Sequence, residues 1–556
     1  MSRSISKFMR GCVLSAVLTA SAAIASVAAA QEVKPVVVVA VNKLDDILSD
    51  VATMTELAGQ GDTGRFVVGV AGLYTNGLDR TRPAGAYVTL GDGGAPKVIG
   101  FLPVKNLKGL LATFREQIGP PKESANGVIE IGADRRQSVF IKEQGGWAFI
   151  SQDPSQLVGL PENPAAILGG LEQQYDLAVR VNMQNIPEPL RELAVSQLKL
   201  ATDQAMQQQS RQLGAEERQI AEQVTKGLLQ GIVEFVEQSD QLTLGFAIDG
   251  KEKSTFLEAT VTAKPNTDLA KQLERIAATP TRFGGLQSSD AAVAFTSSTP
   301  LSGADVQQLR TLIKVGRENG AKEIANSAEI PTQKLREGVL ESFNALLDIA
   351  DATVSKGQLD LGAAVFAHTE GLELAAAAMV ADGVKLEKTV KKIYSLIKEQ
   401  HAEIPAIKFD FASYGGVNFH KVEIPLDGID EDARKVFGDN VDLVLGFGKE
   451  SALIGVGDDA VAVLKKVIDK SSASNAPKLP PMQLKVALSP IFKFAAKVNA
   501  NDPQARLLAS AAEKSQGNDH ILVTLKPIQR GVAERIEIGA GIFQIGGEVA
   551  KAAQGR

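Results

Sequence analysis

Apolar residues along this chain follow two rhythms, a period of two that marks strands and a period near 3.6 that marks helices. Four strand-like runs lead the series: PVVVVAVN (Pro35 to Asn42), YDLAVRVNM (Tyr175 to Met183), AAVAFTSSTP (Ala291 to Pro300) and MQLKVALSP (Met482 to Pro490). The last three stop at a proline or polar cluster that cannot extend a ladder. Each run leads into a helical stretch and then a β-hairpin. The hairpins are expected to turn at Gly91 to Pro96, Asp249-Gly250, His368 to Gly371 and near Gly531, where glycine supplies positive φ. Helices follow at Asn106 to Gln117, Asp268 to Ile276 and Val384 to Glu399.

A second pattern lies between copies of the first. Asn126 to Ser151 and Ile407 to Gly457 each read as a meander of short strands followed by an acidic helix start, Asp153 in one and Asp458-Asp459 in the other. The order strand-helix-hairpin, meander, strand-helix-hairpin therefore occurs twice. It predicts an α+β protein of two homologous halves, 31–280 and 288–556, each an antiparallel hairpin-built sheet with helices covering one face. The boundary falls in TPTRFGGLQSSD (Thr279 to Asp290), which has no apolar period. Pro187 to Glu237 and Ala304 to Ala352 are each long enough for a helix pair, and Pro490 to Ala512 suits about one helix. The glutamine-rich stretch Gln204 to Gln212 reads as a soluble helix face or connection, because no apolar heptads run through it.

The first thirty residues are of another kind. Arg3, Lys7 and Arg10 precede the apolar Cys12 to Val27, and Ala28-Ala29-Ala30 completes the pattern of a signal peptide cleaved after Ala30. The expectation is an exported protein, periplasmic or extracellular. Cys12 is the chain's one cysteine, so the mature chain would hold no disulfide, and the residues before it do not suit lipid attachment. Composition is ordinary globular material, 44% hydrophobic and 22% charged. Removing the leader takes 59 basic residues to 56 against 65 acidic, a net charge of −9. That charge, with lysine and arginine dispersed, argues against nucleic acid as a partner. No later window has the apolar length of a transmembrane anchor.

Candidate chemistry is sparse. His368, His401, His420 and His520 show no helical spacing to one another, so neither zinc nor another metal is expected. No nucleophile elbow appears. Gly446 to Ser451 lacks the spacing of a phosphate loop and reads as a tight strand connection; Tyr394 and Lys398 read as surface positions on a helix. Asp427, Asp430, Glu431 and Asp432 read as a cap on the following helix in preference to a calcium loop. Trp147 reads as packing in preference to a sugar platform. Arg80 and Arg82 read as partners of acidic neighbours in preference to an anion site.

GLYTNGLDRTRPAGAYV, PKVIGFLPVKNLKGLLATF and GGWAFIS, across roughly Phe66 to Leu160, resemble uncharacterised exported proteins that are numerous in planctomycete bacteria. The resemblance implies export and carries no activity, so no catalytic residue, cofactor or metal is assigned from it. Together these readings predict a non-enzymatic envelope protein with a binding or scaffolding role, whose partner is a protein or a hydrophobic small molecule. The first alternative is a periplasmic carrier of a hydrophobic ligand such as lipid, with the small residues of AAAAMV (Ala375 to Val380) bordering a cavity. The second is a hydrolase whose site forms only on folding.

Overall fold

The computed structural model describes residues 34–554 apart from 92–93, 125, 133–137, 210–213, 278, 369–370, 427–430, 474–478 and 516. The leader, Asp427 and Asp430 lie outside the described residues. The chain divides into two units: unit 1 holds the described residues up to Glu56 and Gln60–Lys271, and unit 2 holds Leu57–Gly59 and those from Gln272 on.

Unit 1 opens with β1 (Val37–Val41), the helices α1 (Leu44–Leu57) and α2 (Gly61–Tyr74), and the hairpin β2 (Ala84–Leu90) and β3 (Pro96–Pro103). Next come α3 (Leu107–Thr113), whose first turn is capped by Asn106 accepting from the Gly109 N–H, and α4 (Arg115–Ile118). The small strands β4 (Lys122–Glu123), β5 (Val128–Ile131), β6 (Val139–Gln144) and β7 (Trp147–Ser151) follow, then the single turn α5 (Leu171–Gln174). The first pattern then returns as β8 (Leu177–Asn182), α6 (Glu188–Gln209), α7 (Ala215–Gln238), β9 (Ser239–Asp249), β10 (Ser254–Ala263) and α8 (Asp268–Ala277). Every pairing within the unit is antiparallel, in the order β4-β5-β6-β7-β3-β2-β1-β8-β9-β10.

Unit 2 runs β11 (Val293–Pro300), α9 (Gly303–Asn326), α10 (Gln333–Ser355), β12 (Gln358–Ala367), β13 (Leu372–Met379) and α11 (Gly383–Gln400). The meander is β14 (Ile407–Tyr414), β15 (Val417–Pro425), α12 (Glu431–Phe437), β16 (Asn440–Phe447), β17 (Ser451–Val456) and α13 (Ala460–Ser472). β18 (Met482–Ala487), α14 (Leu488–Val498), α15 (Pro503–Lys514), β19 (His520–Ile528), β20 (Gly531–Gly539) and α16 (Ala540–Gln554) complete it. Its antiparallel order is β14-β15-β16-β17-β13-β12-β11-β18-β19-β20. Adding ten to each strand number of unit 1 reproduces it.

The pleat sorts side chains between two faces. In unit 1, Val38, Ala40, Tyr87, Phe101, Phe149 and Ala178 pack against Leu157, Leu168 and Leu171 from the short turns after β7. In unit 2, Ala294, Ala364, Ala375, Phe419, Val444 and Leu453 pack against Leu286 and against Val463, Leu464 and Val467 of α13. Helices are not confined to one face as the alternation implied. Ala148, the neighbour of Phe149 on the opposite side of β7, lies in a separate cluster with Leu107, Leu110 and Leu111 of α3. The connection after β3 is long enough to cross to the other face, a choice that strand periodicity does not encode.

Three local expectations change. Asp153 caps one 3-10 turn, Pro154–Gln156, because Gly159, Pro161 and Pro164 prevent a helix from propagating. Leu488 to Pro490 start α14 instead of ending β18; a proline in the first turn sacrifices no helical hydrogen bond. The stretch after β18 also holds two helices, broken at Asn499 and restarted where Asp502 accepts from the Gln504 N–H ahead of Pro503.

Leu286 is fully buried at the centre of the unit 2 core. Leu286→Ala is expected to destabilise unit 2 by about 2–5 kcal/mol. Gly362→Val is expected to be worse tolerated, because a Cβ there meets the Phe295 carbonyl oxygen and Leu286 Cδ1 at 2.7 Å each. Urea midpoints read both, and unchanged midpoints would contradict this packing.

Candidate functional site

Two features of unit 2 remain once packing is accounted for: a polar cluster at one end of the sheet and an open apolar face beside it. The cluster begins on α11, where helical spacing puts Glu387 and Lys391 on one side and Asp382 caps the first turn. Asn418 and His420, two apart on β15, share a face. Asp410 joins them through a bulge: the β14 register shifts between Lys408 and Ala412, and Asp410 adopts φ +51°. Its N–H therefore points inward and donates to His420 Nδ1 at 2.8 Å.

Lys391 Nζ lies 2.8 Å from Glu387 Oε1 and 3.0 Å from Asp410 Oδ1. Asn418 Nδ2 donates to the same two oxygens at 2.9 and 2.6 Å. The imidazole is wholly buried against Phe409 and Phe447, with ring centroids 5.4 and 5.6 Å away. Its Nε2 is 3.3 Å from Glu387 Oε1, yet it makes no hydrogen bond. Burial, aided by the Lys391 charge, holds the His420 pKa below its usual value. Burial pushes Glu387 upward, but hydrogen bonds from Lys391 and Asn418 outweigh it and hold the carboxyl low. Asp410 is held low first by Asn418 and then by Lys391.

Glu387, Asp410 and His420 bring three possible ligand atoms within 4.8 Å of one another. Two facts set this group apart from a metal centre. The Lys391 ammonium already stands where a cation would. Moreover, Nδ1 accepts a backbone N–H, so the neutral ring carries its proton on Nε2, the nitrogen that would have to ligate. The arrangement works chemically as a cation site closed by its own lysine, with one N–H donor left over.

The second feature is a register row. Leu445, Ile454, Ala376, Ala363, Phe295, Leu484, Val523 and Ile536 stand side by side across eight strands. The next row, from Leu443 and Val456 through Val365 and Val293 to Ile521 and Ile538, is equally apolar. These side chains point away from the core. Ile454 is 46% exposed and Ile536 39%, whereas Leu453, facing the other way, is 4% exposed. Unit 1 has the same feature: Val98, Val88, Val37, Val181, Leu242 and Val261 form one row. Leu244, Phe246 and Leu257 extend it, with Leu244 50% exposed.

Other residues singled out by the sequence fall elsewhere. Trp147 is buried edge-on to Phe101 with the Arg82 guanidinium 3.8 Å above its ring, and Arg80 pairs with Asp45. Tyr394 accepts from the Ile407 N–H, and Lys398 donates to the Ala402 and Ile404 carbonyls, so both brace the loop after α11. Gly448 to Glu450 form the turn between β16 and β17. His401 ends α11 beside Glu403, and His520 opens β19. His368 lies 3.5 Å from the buried Glu373, whose pKa is raised by burial. Glu387, Lys391 and Asn418 were not singled out beforehand. The signals available were the helical Glu-Lys spacing and two polar residues on one face of an apolar strand; Asp410 had none. No protein-family model matches the chain, and neither a curated protein nor a solved structure matches it.

A buried neutral histidine makes stability pH-dependent. The unfolded chain takes up a proton below pH 6.5, while folded His420, with its lowered pKa, resists until lower pH. Stability from this group is complete above pH 6.5 and is lost as pH falls toward the folded value. His420→Gln is expected to flatten that part of the urea-midpoint profile. Parallel profiles would show that His420 is not the titrating group.

Proposed function

We propose that this is an exported, non-enzymatic binding protein of the cell envelope, a carrier of an apolar small molecule built from two copies of one ten-strand unit. The duplication is supported by the strand order, which repeats through nine pairings in each unit. The observation that carries the binding role is the open apolar face in each unit.

The chemistry of that face favours hydrocarbon over protein. Protein interfaces carry roughly one hydrogen bond per 100–200 Å² and are enriched in tyrosine, tryptophan and arginine. The two complete rows of unit 2 contain one phenylalanine and no polar side chain. Size points the same way. Eight strands at ~4.8 Å spacing and two rows of side chains cover about 500 Å², below the ~800 Å² per partner of a standard protein interface. The length across the strands, ~34 Å, exceeds an acyl chain, which spans about half of a ~30 Å bilayer core.

Replacing a half-exposed member of the row should weaken binding without disturbing the core. Ile454→Glu in unit 2 and Leu244→Glu in unit 1 are each expected to weaken binding of a fluorescent acyl-chain probe at that unit by about tenfold or more, the worth of burying one such side chain. Native mass spectrometry of protein purified from envelope extract should show a co-purifying apolar molecule. No probe binding to the wild-type chain would sink the carrier reading.

A further inference from the structure

We propose that helix α2 docks unit 1 on a lipid bilayer, with its outer face set at the boundary between headgroups and acyl chains. The proposal goes beyond the carrier reading and stands without it.

From Phe66 to Tyr74 the sequence of α2 reads FVVGVAGLY, nine residues in which the Tyr74 hydroxyl is the one polar side-chain group. A helix apolar on all sides belongs in a core or in lipid. Yet Gly64 is the single buried residue of α2, where a Cβ would come within 2.0 Å of Thr55 Oγ1 on α1. Helical spacing sets Phe66, Val70 and Leu73 on the side opposite Gly64, with Val67 and Tyr74 flanking them. Phe66 and Leu73 are each 71% exposed, and Tyr74 50%. A Cβ on Gly69 would meet nothing within 4 Å, so the described chain leaves that side bare. The charged residues Asp62 and Arg65 lie at the start of the helix and pair with each other at 2.5 Å.

Helices in the corresponding place elsewhere are built differently. α7, α10 and α15 are likewise the second of two helices after a leading strand, and each carries charge into its second half: Glu234 and Glu237, Asp348 and Asp351, Glu513 and Lys514. Only α2 of these four lacks it.

The size of the face says what covers it. Over nine residues a helix ~10 Å wide extends ~14 Å, about 140 Å² in outline, several times below the ~800 Å² per partner of a standard protein interface. Nor does the face offer the hydrogen-bonding groups by which a protein partner is recognised. A bilayer requires neither. It takes phenylalanine and leucine from a helix lying in its interface, about 5–10 Å deep, and tyrosine suits the wet end of such a contact. Tyr74 stands at that end, and its ring, 6.0 Å from Phe114, ties the helix to unit 1.

Flotation of the full mature chain with phosphatidylcholine vesicles, with and without phosphatidylglycerol, tests this. Binding to the two is expected to agree within about threefold and to survive about 0.5 M salt, because the face is uncharged. Phe66→Glu and Leu73→Glu are each expected to lower the partition coefficient about tenfold or more, while leaving acyl-chain probe binding and the urea midpoint unchanged. Phe66→Trp is expected to be quenched by lipids brominated on the acyl chain beyond the wild type, whose Trp147 is buried. If a glutamate variant unfolds, this quenching decides. No vesicle binding by the wild-type chain, no added quenching in Phe66→Trp, or binding that only Ile454→Glu or Leu244→Glu removes would overturn the inference. Dimerisation of the chain that Leu73→Glu abolishes would overturn it too, by seating a second copy on α2. Absence of acyl-chain probe binding would instead remove the carrier reading and leave this one standing.

Discussion

The antiparallel pairing of two leading strands at the middle of each sheet is the contact on which the rest of each unit depends. β1 pairs with β8, joining Val39 to Val179, and β11 pairs with β18, joining Phe295 to Leu484. Each leading strand also starts one side of its sheet, β1 holding β2 and β8 holding β9. Without the central pairing the hairpins would be separate pieces, each with one unpaired edge and too little core. The entropy of closing so long a loop grows only slowly with its length, whereas the pairing joins both hairpins to one hydrophobic layer. Buried Ala40 and Ala294 on the central strands mark how closely that layer approaches.

A sheet made this way has two apolar faces and covers only one fully. Strands apolar on both sides are ordinarily found where both faces are packed. Here the turns after β7 and the helix α13 fill one face, while α3 reaches the other face of unit 1 only near β7. The remaining rows stay half-exposed at a size where an apolar patch on a soluble protein is commonly functional. The same open rows occur in both units, which makes them a property of the architecture and not a local irregularity.

The polar cluster beside the unit 2 rows shows how one bulge redefines a site. In regular β14 geometry the Asp410 N–H would follow the ladder; at φ +51° it turns inward and fixes the tautomer of His420. That one hydrogen bond decides which nitrogen is a donor. Three groups with metal-ligand chemistry become a lysine-neutralised cluster with a spare N–H. Composition of the cluster and its chemistry are therefore different questions, and only the second depends on hydrogen-bond direction.

Strand periodicity, turn residues and helical spacing sufficed to locate the leading strands, the hairpins and most helices, because those features follow from short-range backbone geometry. They also carried the strand-helix-hairpin rhythm. Short-range rules failed where a later residue decided the outcome, as at Asp153, where downstream glycine and prolines stopped a helix, and at Pro490, which belongs to a helix start. Of the site, Glu387 with Lys391 and Asn418 with His420 were visible as separate pairs. Their meeting with Asp410 was not, since it depends on a bulge and on α11 lying over β15 and β16. The sequence alone determined which residues of each strand share a face, because side chains alternate along a pleated strand. Tertiary structure alone decided which face is packed and which stays open, because that depends on where the connecting helices come to rest.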